Sequence, residues 1–333
     1  MRSPIRKTSA PPIVTPVTAT TASRLSPWPG RLKRGWRPER LRRTDTEILR
    51  EYDDGPYARL PLQWKQFWHS PPRHGRHIGA ALRFLDVQRN ERNAALKDLP
   101  EVYGDVDLQR YLVSINDRLY AADLNLFESW WRSFIVQRVD AVRAVQPFDW
   151  LVEMGCGPGA SLVEAYARAG LNGIAGCDLS PNAIRFLREL ARDTQVPSKF
   201  SVGDYRDWSV IEKLAPARAP WALMSVHAIE QAHELPIEWF IRAVNGRNPP
   251  RVVMHFEPVV WDRAQGFAKD CARYAELNLY NKTLLRALRQ AERAKLIDIV
   301  HVEKRVIGHT AHNPTSLIVW APRPTRRSRT RRD

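Results

Sequence analysis

The chain has 333 residues, 44% of them hydrophobic, and a formal net charge of +16, with enough length and apolar content for one large or two modest domains. No apolar run approaches the ~18 residues of a membrane span, and none follows the first basic residues as a secretory signal requires. Cys156, Cys177 and Cys271 are too few and too scattered for a disulfide framework or a zinc site.

The charge sits at the two ends. Residues 1–43 hold eleven Lys/Arg against Glu39, and residues 321–333 hold six Arg against Asp333; these net charges of +10 and +5 leave +1 for residues 44–320. Segments such as "APPIVTPVTATTAS" and "RPTRRSRTRRD" lack the apolar content to fold, so residues 1–43 and 322–333 are expected to be disordered basic tails. Such tails are candidates for binding nucleic acid, anionic lipid or a protein partner, but arginine-rich ends equally serve solubility, and nucleic acid is not the favoured partner. The N-terminal segment is acid-poor like a transit peptide, yet its prolines disfavour the amphipathic helix of such peptides. A cytoplasmic location is expected, with organelle import as the alternative.

Residues 44–146 read as an aromatic lead-in followed by a helical cap. Pro56, Pro61, Pro71 and Pro72 predict an irregular lead-in. From Ile78 to Val145 apolar residues recur at helical spacing, as in Leu82 and Leu85, then Tyr111, Leu112, Ile115 and Leu119, then Phe127, Trp131, Ile135 and Val139. That pattern predicts about three helices. Tyr111, Tyr120, Trp130 and Trp131 are candidates either for a lid over a site or for the core.

From Trp150 the pattern changes to short β-rich runs alternating with helices: "WLVEM", "GIAGCD", "KFSVGD", "WALMSV" and "RVVMHFEP". Alternation of this kind predicts a mainly parallel sheet covered on both faces, over residues 147–321. The last runs, "IDIVHVEKRVIG" and "SLIVWAP", are joined by a connection too short for a crossover helix and should pair antiparallel.

The stretch "LVEMGCGPGASLVEAYARAG" sets Gly155, Gly157 and Gly159 between an apolar run and a helical pattern. Bare backbone there brings amides and a helix N-terminus against a ligand. Alone, with Ala160 in the last small position and Asp178 about 20 residues on, the loop also fits a dinucleotide fingerprint. Glu153 favours a ligand without phosphates, because a carboxylate at that strand end faces an ammonium better than a pyrophosphate. Asp178, ending the second run before the Ser180 cap, can accept ribose hydroxyls, and Asp204, after the third run, can accept an adenine amino group beside the ring of Tyr205.

Together "VEMGCGPG", "GCDLSPNAI", "VGDYRDW" and "MSVHAIEQ" resemble the class I S-adenosylmethionine-dependent methyltransferases, over roughly half of the chain. The resemblance implies a Rossmann-like, seven-stranded, mostly parallel sheet with an antiparallel last strand, preceded here by the helical cap. It implies S-adenosyl-L-methionine as cofactor, its methionine part at Glu153, Gly155, Cys156, Gly157 and Gly159. Asp178 would take the ribose and Asp204 the adenine, with Leu179, Tyr205 and Val226 lining the base and pocket.

In open parallel sheets the ligand lies beyond the carboxyl ends of the strands, which directs the search for acceptor contacts to "SVHAIEQAHE" and "HFEPVVW". His227 is a candidate base or pocket wall, and Glu230, three residues on, a candidate partner for it. His255 and Glu257 share one strand face and are candidates to reach the acceptor, His255 equally as a core histidine. Tyr280, Asn281, His309, His312 and Asn313 lie in loops that are further candidates. No metal ligand set is apparent. The expected activity is methylation of an oxygen or nitrogen of a small biosynthetic metabolite. The alternatives are RNA or protein methylation guided by the tails, transfer or cyclisation of the aminocarboxypropyl chain, and a non-catalytic cofactor-binding partner. The sequence carries no signal of oligomeric state.

Overall fold

The computed structural model describes residues 14–16, 44–70, 77–96, 111–231, 234–261, 265–308 and 310–323. In chain order the first elements are strand β1 (Val14–Pro16), helices α1 (Asp45–Tyr52), α2 (Leu60–His69) and α3 (Ile78–Leu96), strands β2 (Tyr111–Ile115) and β3 (Arg118–Ala122), and helix α4 (Leu124–Val145). Strand and helix then alternate: β4 (Trp150–Met154), α5 (Ala160–Ala169), β5 (Gly173–Asp178), α6 (Pro181–Thr194), β6 (Ser198–Val202), α7 (Trp208–Leu214) and β7 (Trp221–Val226). The chain continues through α8 (Ile237–Asn245), β8 (Val252–Pro258), α9 (Phe267–Leu277), α10 (Leu284–Arg293), β9 (Ile297–Gly308) and β10 (Thr315–Pro322).

All described strands join one sheet in the order β1-β3-β2-β9-β10-β8-β7-β4-β5-β6. Strands β6, β5, β4, β7 and β8 run parallel. Strand β10 inserts between β8 and β9 and pairs antiparallel with both, as the short connection required. The expected seven strands are therefore corrected to ten, because β1, β2 and β3 extend the sheet beyond β9. The sheet runs across the boundary drawn at residue 147.

Three expectations for the N-terminal region change. Residues 111–122, read as helix, are a hairpin: Asn116 and Asp117 have φ of 48° and 66°, the left-handed pair of a two-residue hairpin turn. The lead-in is not irregular. Thr44 and Glu47 form a reciprocal capping box at the start of α1, and Pro61 sits in the first turn of α2, where its missing N–H costs nothing. Within the expected tails, Val14–Pro16 pair with β3 and Pro322 ends β10; the other tail residues, except Arg323, lie outside the described residues, as does His309.

Alternation along the strands divides the core into two layers. Leu151 and Ile174 pack toward α3, α4, α5 and α6, whereas Val152 and Ala175 pack toward α7, α8 and α10. Helices α2 and α3 are fastened to α6 by aromatic packing. Trp64 is fully buried, meets Phe84 and Phe186 edge-on, and donates its ring N–H to Asp193 at 2.9 Å. A satisfied N–H with edge-on rings adds about 0.5–1.5 kcal/mol per pair beyond area burial.

Candidate active site

The order of strands reverses at β4, which has β5 on one side and β7 on the other. A crevice must open where the helices after these strands leave on opposite faces. A cavity of about 830 Å³ lies there, and it extends from the loop after β4 to the loop after β7.

At one end the glycine loop lies bare. Gly155, Gly157 and Gly159 have φ of 61°, 49° and 71°, values that favour glycine. A Cβ on Gly157 would stand 2.9 Å from the Tyr57 hydroxyl, while one on Gly159 would press Leu187 at 2.6 Å. Gly157 thus keeps the cavity wall thin. Gly159 does not line the cavity; it starts α5 and lets that helix approach α6.

Glu153 is 3% exposed, and its Oε2 has no hydrogen-bond partner among the described residues. Burial, with Asp178 and Glu257 nearby, holds its carboxyl well above the usual range. A buried acid of this kind calls for a cationic group from outside the chain. Asp178 accepts the Gly157 amide at 2.8 Å and the Ser180 amide at 2.9 Å, leaving lone pairs on both oxygens toward the cavity. Burial raises its pKa, against the pull of those amides.

Leu179, Cys156 and Val226 line the same cavity. Tyr205 lines it too, packed 3.5 Å from the position of a Gly155 Cβ, with its hydroxyl donating to the Ala228 carbonyl at 3.1 Å. Asp204 is not open as expected. Arg206 donates to it from Nε at 2.7 Å and from its amide at 2.8 Å, and reaches Asp45 Oδ2 with Nη2 at 2.7 Å.

Residues 45–60, which the motifs did not reveal, cross this end as a strap. Asp45, Leu49, Tyr52 and Tyr57 line the cavity. Asp53 accepts from the Ser180 hydroxyl and from the Asn182 amide, thereby capping α6 from outside. Its one sequence signal is the "TDTE" capping box at residues 44–47.

At the other end His227 and Glu230 are brought together. His227, with φ 49°, stands with Nδ1 3.3 Å from Glu230 Oε1 and Nε2 2.7 Å from Thr315 Oγ1. Trp131 donates its ring N–H to the same Thr315 oxygen at 2.9 Å. With that lone pair used, the Thr315 hydroxyl hydrogen can turn to His227 Nε2, which leaves the ring hydrogen on Nδ1, facing Glu230. Asn313 donates to Glu230 Oε2 at 2.8 Å. Burial alone would lower the His227 pKa, but the Glu230 charge and hydrogen bond outweigh it and the net shift is upward.

His255 and Glu257 are corrected. Neither lines the cavity. His255 is fully buried between Ser225, 3.0 Å from its Nδ1, and Trp320, whose N–H donates to Nε2 at 3.0 Å. With no charged partner among the described residues, burial drives its pKa down to about 3, so it is a neutral core residue. Glu257 accepts the amides of Ala228, Ile229 and Glu230 at 3.1, 3.1 and 3.3 Å. It is the backbone anchor of the turn carrying His227 and Glu230, and burial pushes its pKa up to about 7. Tyr280 and Asn313 line the cavity, whereas Asn281 and His312 do not.

Residues 151–236 match the family model described as a methyltransferase domain. With the strand order above, the chain has the class I Rossmann-like methyltransferase fold. No curated protein matches the sequence. Among solved structures, the geranyl diphosphate C-methyltransferase of Streptomyces coelicolor A3(2) is 15% identical, with 61% of this chain and 80% of that one covered and a TM-score of 0.42. The magnesium protoporphyrin IX methyltransferase of Synechocystis PCC 6803 is 10% identical, with coverages of 84% and 100% and a TM-score of 0.43. The [4+2]-cyclase SpnF is 15% identical, with coverages of 56% and 80% and a TM-score of 0.40.

Proposed function

We propose that the protein is an S-adenosylmethionine-dependent methyltransferase acting on an oxygen or nitrogen of a small metabolite. The observation that carries this reading is the continuity of one cavity from the orphaned Glu153 carboxylate and the glycine loop to the His227–Glu230 pair. Its roof of strap and cap helices suits a small acceptor better than a polymer.

The residues present fit the cofactor. Glu153 would take the ammonium of the methionine part, Asp178 the ribose hydroxyls, and Asp204 with Arg206 would edge the adenine beside Leu179 and Tyr205. When bound, S-adenosylmethionine supplies an electrophilic methyl group on a sulfonium. The protein's main work is then alignment of the acceptor atom with that methyl carbon. His227 takes the acceptor proton on Nε2 once the Thr315 hydroxyl hydrogen turns away from that nitrogen, Glu230, held by Asn313, orients the ring and balances the imidazolium, and Glu257 fixes the turn that presents both. A base must be neutral to accept a proton, so activity should rise with pH through a value above 6.5, the ordinary histidine pKa.

The division into a lead-in with helical cap (44–146), a cofactor domain (147–321) and basic ends belongs to the same proposal, with the 111–122 hairpin sharing the cofactor domain's sheet, as does a location outside membranes. No helix among the described residues is long and apolar enough to cross one. Calorimetric titration with S-adenosylmethionine tests the reading first: failure to bind would end it. Methyl transfer from labelled cofactor into a deproteinised extract tests the acceptor class, and transfer only after RNA or protein is restored would overturn the small-molecule assignment.

A further inference from the structure

Helices α3 and α4 place two arginines in the cavity wall that the mechanism above does not use. The side chain of Arg132 is 8% exposed and that of Arg89 is 11% exposed, yet both line the cavity. Buried guanidinium is stable only when its charge and its five donors are met.

Among the described residues they are not met. Arg132 Nη2 donates to Asp86 Oδ1 at 3.1 Å, and its Nε lies 4.0 Å from Glu164 Oε2. Arg89 Nη1 reaches the same Asp86 oxygen at 3.1 Å, while its Nε and Nη2 share the Asn90 side-chain oxygen at 3.4 Å. Glu164 is also claimed by Arg168 at 3.1 Å. Arg89, Arg132 and Arg168 therefore divide two carboxylates, which leaves one positive charge over among the described residues. Neighbouring Arg92 shows the contrast, since Glu128 meets it with both oxygens at 2.9 and 3.1 Å. Burial and the charge of Arg132 hold the Arg89 pKa below its ordinary value, as an uncompensated pair requires.

We propose that Arg132 and Arg89 form a carboxylate-binding subsite of the cavity, which takes a carboxylate of a bound small molecule between the two guanidiniums. One surplus charge suits a monoanion better than a phosphate dianion, and a planar fork suits a carboxylate. The inference rests on the proposed function only for the source of that group: either the acceptor or the methionine part of the cofactor carries it.

Two probes test it on the full chain. Benzoate needs no cofactor; it should raise the melting temperature of the wild type and not that of Arg132→Met. Decarboxylated S-adenosylmethionine, compared with S-adenosylmethionine, reads the cofactor's own carboxylate by calorimetry. If the subsite holds that group, the wild type prefers the intact cofactor at least tenfold and Arg132→Met erases the preference. If it serves the acceptor, benzoate and S-adenosylmethionine bind together, and Arg132→Met leaves cofactor binding unchanged. Arg132→Lys keeps the charge without the fork and should fall between the two. Arg89→Gln leaves Asp86 paired with Arg132, so it gives a folded variant should Arg132→Met fail to fold, and it is expected to weaken the benzoate response. The proposal is overturned by a wild type that shows neither a benzoate shift nor a carboxylate preference, or by variants that keep both. Failure of S-adenosylmethionine to bind, with the benzoate arm intact, would instead sink the proposed function and leave the subsite standing.

Discussion

The two ends of the cavity are built in opposite ways. Beneath the strap of residues 45–60, the acids of the cofactor end come from one stretch, residues 153–206, in which Glu153 and Asp178 lie at the ends of parallel strands and Asp204 follows one, so each takes its position from strand register. The acceptor end is assembled from α3, α4, the turn after β7, the loop before α10 and the turn before β10. Local chemistry suffices for the first, whereas the second exists only once the whole sheet has closed. Substitutions should therefore separate the two ends cleanly.

The largest effect is expected at the acceptor end. His227→Ala should lower kcat by about 10²–10⁴, the usual share of a positioned base, with the calorimetric Kd for S-adenosylmethionine unchanged; a matching loss of cofactor affinity would show that the ends are not separable. Glu230→Gln removes the charge that raises the His227 pKa, leaving burial to lower it, so the acidic limb of the pH–rate profile should move to lower pH. The stability linkage has the corresponding sign. A histidine raised on folding stabilises fully below its unfolded pKa, and that contribution fades as pH rises through the folded value, so melting temperatures of wild type and Glu230→Gln should converge above it.

Next in size is the cap. Trp64→Ala should destabilise by about 3–5 kcal/mol in a denaturant melt, because a fully buried indole and its bond to Asp193 are lost together. Both ends of the cavity should fail with it.

At the cofactor end, Glu153→Gln should weaken S-adenosylmethionine binding by about 10- to 100-fold, the scale of a charged hydrogen bond exchanged for a neutral one. Unaltered affinity in titration would remove Glu153 from the site. The smallest effect is expected from Asp45→Asn. Asp45 is half-exposed and its pair with Arg206 is worth no more than about 1 kcal/mol, so cofactor dissociation should quicken severalfold at most in a stopped-flow chase while the chemical step stays the same.

Legibility in the sequence follows the same division. Glu153, Asp178 and Asp204 could be read because strand ends place them whatever the rest of the chain does. The partner of Asp204 could not be inferred, since Arg206 turns outward to Asp45, 161 residues away. His255 looked as chemical as His227; what separates them is Trp320, 65 residues on, which occupies one nitrogen of the first, and Glu230, which raises the pKa of the second. The hairpin was missed because Tyr111, Leu112, Ile115 and Leu119 satisfy helical spacing by coincidence, and only the Asn116-Asp117 pair marks the turn. Arg132 lies on the buried side of α4, three residues before Ile135, where an arginine ordinarily reads as a stem with its head in water.

The hairpin also bears on how the protein avoids its own copies. Strand β9 has twelve residues and pairs along its length with β10, so its far side would otherwise offer a long row of unpaired backbone groups to another chain. Strand β2 covers that side at Ile307 and Gly308, and β3 and β1 carry the sheet on from there. Along the part that no described strand covers, Asp298, Glu303, Lys304 and Arg305 put charges of both signs on the strand, a pattern that opposes edge-to-edge association. A shortened chain that lacks residues 111–122 would lengthen this exposed margin, and it would be the first form of the protein to show strand-driven aggregation.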